Sequence, residues 1–61
     1  MAQITSKELT ALEDLIGQEN TLAAKYGFYA GKTEDKALAD CYAQLEQRHR
    51  SHAEQLFGQL K

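Results

Sequence analysis

The chain has 61 residues, with seven Lys and Arg against nine Asp and Glu, one Cys, and neither Pro nor Trp. That length allows one domain, and a formal charge of −2 argues against a nucleic-acid partner, which demands a basic face. No apolar run approaches the ~18 residues of a membrane span, no Gly-rich phosphate loop occurs, and Met1-Ala2-Gln3-Ile4 lacks the look of an export signal, so synthesis in the cytoplasm is expected.

The first element announces itself at Thr5. Thr5 followed by Glu8 is a capping box, and Ile4 and Leu9 flank it as a hydrophobic staple. Leu12, Leu15, Glu19, Leu22, Tyr26 and Tyr29 then recur at alternating steps of three and four, the spacing of one helix face. Ala30 and Gly31 are expected to end it, Gly31 taking the left-handed position after a helix. The pattern predicts a helix over about 5–30. Gly17 and Gly27 lower its propensity without breaking the stripe, a break near Gly27 being the alternative.

A polar turn is expected over 31–34. Asp35 is the preferred N-cap of the next helix and Thr33 the other candidate. Leu38, Tyr42, Leu45, His49, His52 and Leu56 repeat the stepping, and Leu60 closes it one position late. This predicts a second helix over about 35–60, fraying near Gly58. So short a connection forces the helices to lie antiparallel.

Such a hairpin is short of core. By surface scaling a 6.8 kDa globule buries roughly 5900 Å², worth ~85 kcal/mol, against ~90 kcal/mol for ordering its residues. One Cys offers no internal disulfide. Each helix carries one apolar stripe and no third layer covers them, but two hairpins cover each other. The expected fold is therefore all-α: a single domain over 1–61, a two-helix antiparallel hairpin that homodimerises into a four-helix bundle. Leu12, Leu15, Leu22, Tyr26, Tyr42, Leu45 and Leu56 are its expected interface.

Three positions on the stripes are polar: Glu19, His49 and His52. An uncompensated carboxylate there costs several kcal/mol, so a partner is expected. Counting 11 residues back from Ala30 gives Glu19, and 11 forward from Asp35 gives Glu46, one turn before His49. Both lie roughly 16 Å from the turn at ~1.5 Å per residue. One Glu and one Glu-x-x-His per hairpin is half the ligand set of a ferritin-like di-metal carboxylate site, which a two-fold dimer completes. On that reading Glu19 is a terminal ligand, Glu46 bridges, His49 gives a nitrogen and His52 adds a ligand or supporting donor. The metal is an iron or manganese pair per dimer, with zinc a further candidate. The competing reading is a structural Glu19–His49 pair with Glu46 solvated and His52 an ordinary interface histidine. No catalytic residue is assigned: Ser51 lacks an acidic third member, and redox turnover needs an open coordination position.

Cys41 reads as a small interface hydrophobe, and Tyr26 and Tyr29 as rings that plug the bundle end near the turn. Phe28 and Phe57 fall off both stripes, as lone exposed aromatics or as contacts for a higher assembly.

The run Leu9-Thr-Ala-Leu-Glu-Asp-Leu-Ile16, Glu19, Lys25-Tyr-Gly-Phe-Tyr-Ala30, the Asp35 turn, and His49-x-x-His52 followed by Leu56 resembles the spore coat protein F family of endospore-forming Bacillota. The likeness covers nearly the whole chain as one hairpin unit. The family's Asp-Pro at the second helix start is Asp35-Lys36 here. The resemblance implies a ferritin-like fold, which larger members build from two such units in one polypeptide. It implies a structural role in the spore coat, with other coat proteins as partners beside a second copy of this chain.

Overall fold

The computed structural model describes residues 4–60. Two helices, α1 (Ser6–Lys32) and α2 (Lys36–Gly58), pack against each other with a three-residue connection between them. Among the described residues there is no strand.

The helix starts are local and chemical. Thr5 Oγ1 accepts the Glu8 N–H at 3.1 Å, and Glu8 Oε1 accepts the Thr5 N–H at 2.9 Å, so the capping box is complete. Hydrogen bonding to the carboxylate, from the Thr5 backbone N–H foremost and the Thr5 side chain second, holds the Glu8 carboxyl below its ordinary value. That contribution is therefore present above the usual carboxylate range and is lost as acid titrates Glu8.

α1 does not end where Gly31 suggested. It runs through Gly27 and Gly31, and no described glycine takes a positive φ. The stop is Thr33, whose extended backbone (φ −77°, ψ 142°) leaves the helix while its N–H still donates to the Tyr29 carbonyl at 3.1 Å. Lys32 places a cation in the last turn, where the helix dipole favours one. Both proposed caps of the turn are used. Thr33 Oγ1 accepts the Asp35 N–H at 3.2 Å, and Asp35 Oδ1 accepts the Leu38 N–H at 3.0 Å. Thr33 thus orders the turn and Asp35 starts α2. α2 ends at Gly58, and the N–H groups of Gln59 and Leu60 close its last turn on the carbonyls of Leu56 and Phe57.

The contact seam is rotated from the expected stripe. Along α1 the covered positions are Leu12, Ile16, Glu19, Leu22, Ala23, Tyr26, Gly27 and Ala30; from α2 onward they are Ala39, Tyr42, Leu45, Glu46, His49, His52, Ala53, Leu56 and Leu60. Only Ala23 and Ala53 are fully buried, at 0% and 6% exposure.

The large apolar residues one position earlier are left to one side. Leu15, Leu22 and Tyr29 each precede a seam residue of α1; Leu38, Leu45 and His52 each precede one of α2. One residue is about 100° of turn. Because both helices are right-handed and run antiparallel, the same offset carries both rows to the same side of the hairpin. Leu15, Tyr29 and Leu38 remain 47%, 40% and 41% exposed there, and Leu22 and Leu45 are half-buried. The result is a rod, 47 × 16 × 10 Å, with one open apolar face.

Candidate functional site

Glu19, His49 and His52 meet in the middle of the rod. α1 brings Glu19, and α2 brings His49 and His52, three residues apart and so on adjacent rows. His49 Nδ1 lies 2.5 Å from Glu19 Oε1 and donates to it. His52 Nδ1 stands 3.5 Å from the other carboxylate oxygen, Oε2. The two imidazoles meet edge to face, with centroids 5.7 Å apart. Glu19 and His49 are half-buried, while the His52 side chain is 45% exposed.

An aromatic column holds this cluster from the turn side. Tyr26 stacks on His49 at 5.6 Å with the planes 12° apart, and on Tyr42 at 6.1 Å. Tyr29 packs on Tyr42 at 5.5 Å. Tyr26, expected to plug the end of a bundle, packs its ring on that of His49. Nothing local in the sequence announces that contact, which joins residues 23 positions apart.

Glu46, expected as the bridging ligand, stands apart from this cluster. Its carboxylate lies over Gly27, where an added Cβ would come within 2.8 Å of Oε2. Arg50, one turn further along α2, grips the same oxygen through Nε at 3.1 Å and a terminal nitrogen at 2.7 Å. Gly27 is eight residues from Glu19, roughly 12 Å along α1. Glu19 and Glu46 are therefore on different levels, and the Glu-x-x-His set is not assembled within the hairpin.

The mismatch has two causes. α1 extends two residues beyond Ala30, which moves the turn relative to Glu19. In addition, helical side chains lean toward their own N-terminus. In an antiparallel pair this aims Glu19 away from the turn and His49 and His52 toward it. Glu19 consequently reaches residues further along α2 than a count of Cα heights suggests.

The assembled donor set is thus one carboxylate and two imidazoles. One ligand atom from each of Glu19, His49 and His52 lies within 4.8 Å of the others. A shallow hollow lined by Glu19, His52, Gln55, Leu56 and Gln59 opens beside it to solvent. Cys41 is exposed and unpaired by any disulfide. Phe28 is 60% exposed, with the Lys32 ammonium 5.4 Å from its ring centroid, and Phe57 is 52% exposed. No helix among the described residues is long and apolar enough to cross a membrane.

Compared with protein-family models, with curated proteins and with solved structures, the chain finds no match. The likeness to the spore coat protein F family accordingly rests on the residues quoted above.

Proposed function

We propose that the chain is a structural assembly module, a helical hairpin that pairs with a second copy through its open face to make a four-helix bundle. The open face carries this reading. Leu15, Leu22, Tyr29, Leu38 and Leu45 are its large apolar groups, and the hairpin itself covers them only in part.

Surface area supports a second copy as the occupant. A compact protein of 6.8 kDa exposes about 4000 Å², whereas the hairpin exposes 4745 Å². Its radius of gyration is 14.4 Å, against about 10 Å for a compact chain of this length. Two hairpins merged into one compact body would remove about 2900 Å² in all, within the roughly 2000–5000 Å² of obligate dimers. A self-complementary patch is also what a two-fold interface requires, since both copies present the same residues. The resemblance to the spore coat protein F family supports the spore coat as the place of this assembly and other coat proteins as its neighbours.

Sedimentation equilibrium tests the pairing. The expected result is a species of twice 6.8 kDa at micromolar concentration, dissociating on dilution with loss of helical circular dichroism. A folded helical monomer at that concentration overturns the reading. For the location, the chain is expected in the coat extract of purified spores; its confinement to the mother-cell cytosol would refute that part alone.

A further inference from the structure

We propose that Glu19, His49 and His52 form a binding site for one divalent first-row transition ion per chain, with zinc(II) the best match. The ligands come from both helices of one hairpin. The site therefore does not depend on self-association, and it differs in stoichiometry and ligands from a di-metal pair shared across a dimer.

The donor chemistry selects the ion. Two imidazole nitrogens with one carboxylate suit zinc and its neighbours, whereas calcium and magnesium take oxygen ligands. One donor atom from each residue lies within 4.8 Å of the others, so side-chain shifts of about an ångström bring all three onto one ion. Zinc at ~2.0–2.1 Å from each ligand places tetrahedral ligands about 3.3 Å apart. Glu19 Oε2 and His52 Nδ1 already stand 3.5 Å apart. Glu19 Oε1 and His49 Nδ1, at 2.5 Å, must part by about 0.8 Å as the ion takes the place of the hydrogen-bonding proton, which leaves to solvent.

The surroundings favour an ion. Among the described residues, the ion pairs of Glu19 are with these two histidines, and no Lys or Arg occupies its carboxylate. Glu46 contrasts, its oxygen being held by Arg50. The stack on Tyr26 restricts the His49 ring, so less freedom is lost when it ligates. The exposed His52 and the adjoining hollow give the ion a way in and leave room for a water as fourth ligand.

The test uses the full chain stripped with a chelator, then titrated with Zn(II) by calorimetry and with Co(II) by visible absorption. The expected result is one ion per chain and a Co(II) d–d spectrum of four- or five-coordinate nitrogen and oxygen ligation. His52→Ala and Glu19→Gln should each weaken binding at least tenfold, and Glu46→Gln should leave it unchanged. The His52 side chain is 45% exposed, against 23% for Glu19, so its variant is expected to keep wild-type helicity even if changes at Glu19 disturb folding. Absence of saturable binding, unchanged affinity in folded His52→Ala, or one ion per two chains overturns the proposal. Sedimentation in the presence of chelator reports separately on pairing, so either idea can fail alone.

Discussion

The seam between the helices and the face beside it are built to opposite rules. The fully buried residues between α1 and α2 are Ala23 and Ala53, while Leu15, Tyr29 and Leu38 look outward. A protein that folds as an independent unit buries its largest apolar groups first. Here the smallest are innermost, which suits a close helix pair and supplies little burial energy: alanine offers one methyl where a leucine gains about 1.5–3 kcal/mol when fully buried. The seam sets geometry, and much of the apolar area of Leu15, Tyr29 and Leu38 stays uncovered by the hairpin.

The sharpest way to break this contrast is Leu15→Asp. On a lone hairpin Leu15 is nearly half exposed, and such a surface change is expected to move stability by about 0.5 kcal/mol or less. If a second copy covers the face, the buried charge should weaken dimerisation at least a hundredfold, about 2.7 kcal/mol. Helicity at micromolar concentration should fall with it. Dilution series monitored by circular dichroism distinguish the two outcomes.

A smaller effect is expected from Ala23→Leu inside the seam. Ala23 has no exposed surface, so three added heavy atoms must push the helices apart, at a cost of about 1–3 kcal/mol. Denaturant unfolding should show a lowered midpoint. A gain in stability would mean that the seam is looser than its alanines imply.

The smallest comparison pits two glycines of α1 against each other. Gly17→Ala meets nothing within 4 Å and should stabilise by about 1 kcal/mol through helix propensity alone. Gly27→Ala brings a Cβ against the Glu46 carboxylate, so that flexible group must swing away from its place beside Arg50. Its gain should be measurably smaller than that of Gly17→Ala in thermal unfolding. Equal gains would show that Glu46 has no preference for its seat over Gly27.

Much of the fold was legible because its signals are local. Thr5, Glu8 and Asp35 cap through bonds that span three residues, and such spacing is visible in one dimension. Leu12, Glu19, Tyr26, Tyr42, His49 and Leu56 lie on both the expected stripe and the observed seam. What escaped was the rotation toward Ile16, Ala23 and Ala30, because alanine carries almost no hydrophobic signal and declares itself only when helices approach. The pairing of Glu19 with both histidines was legible in residue type. The exclusion of Glu46 was not, since it depends on the direction side chains lean and on α1 passing through Gly31.

The three-residue connection closed by Thr33 and Asp35 also imposes an order in time. Tyr29 and Tyr42 are 13 residues apart, Tyr26 and His49 are 23, and Glu19 and His49 are 30. Each contact, once made, shortens the loop that the next must close, so loop-closure entropy predicts assembly as a zipper from the turn outward. The tyrosines close early and the carboxylate–imidazole cluster late. In the reverse direction the cluster parts before the rings do, so amide exchange should be slowest beside Tyr26 and Tyr42 and quicken toward the chain ends. The groups that would hold an ion thus lie midway along the rod, and an ion bound there would latch the hairpin between closure of the tyrosines and closure of the chain ends.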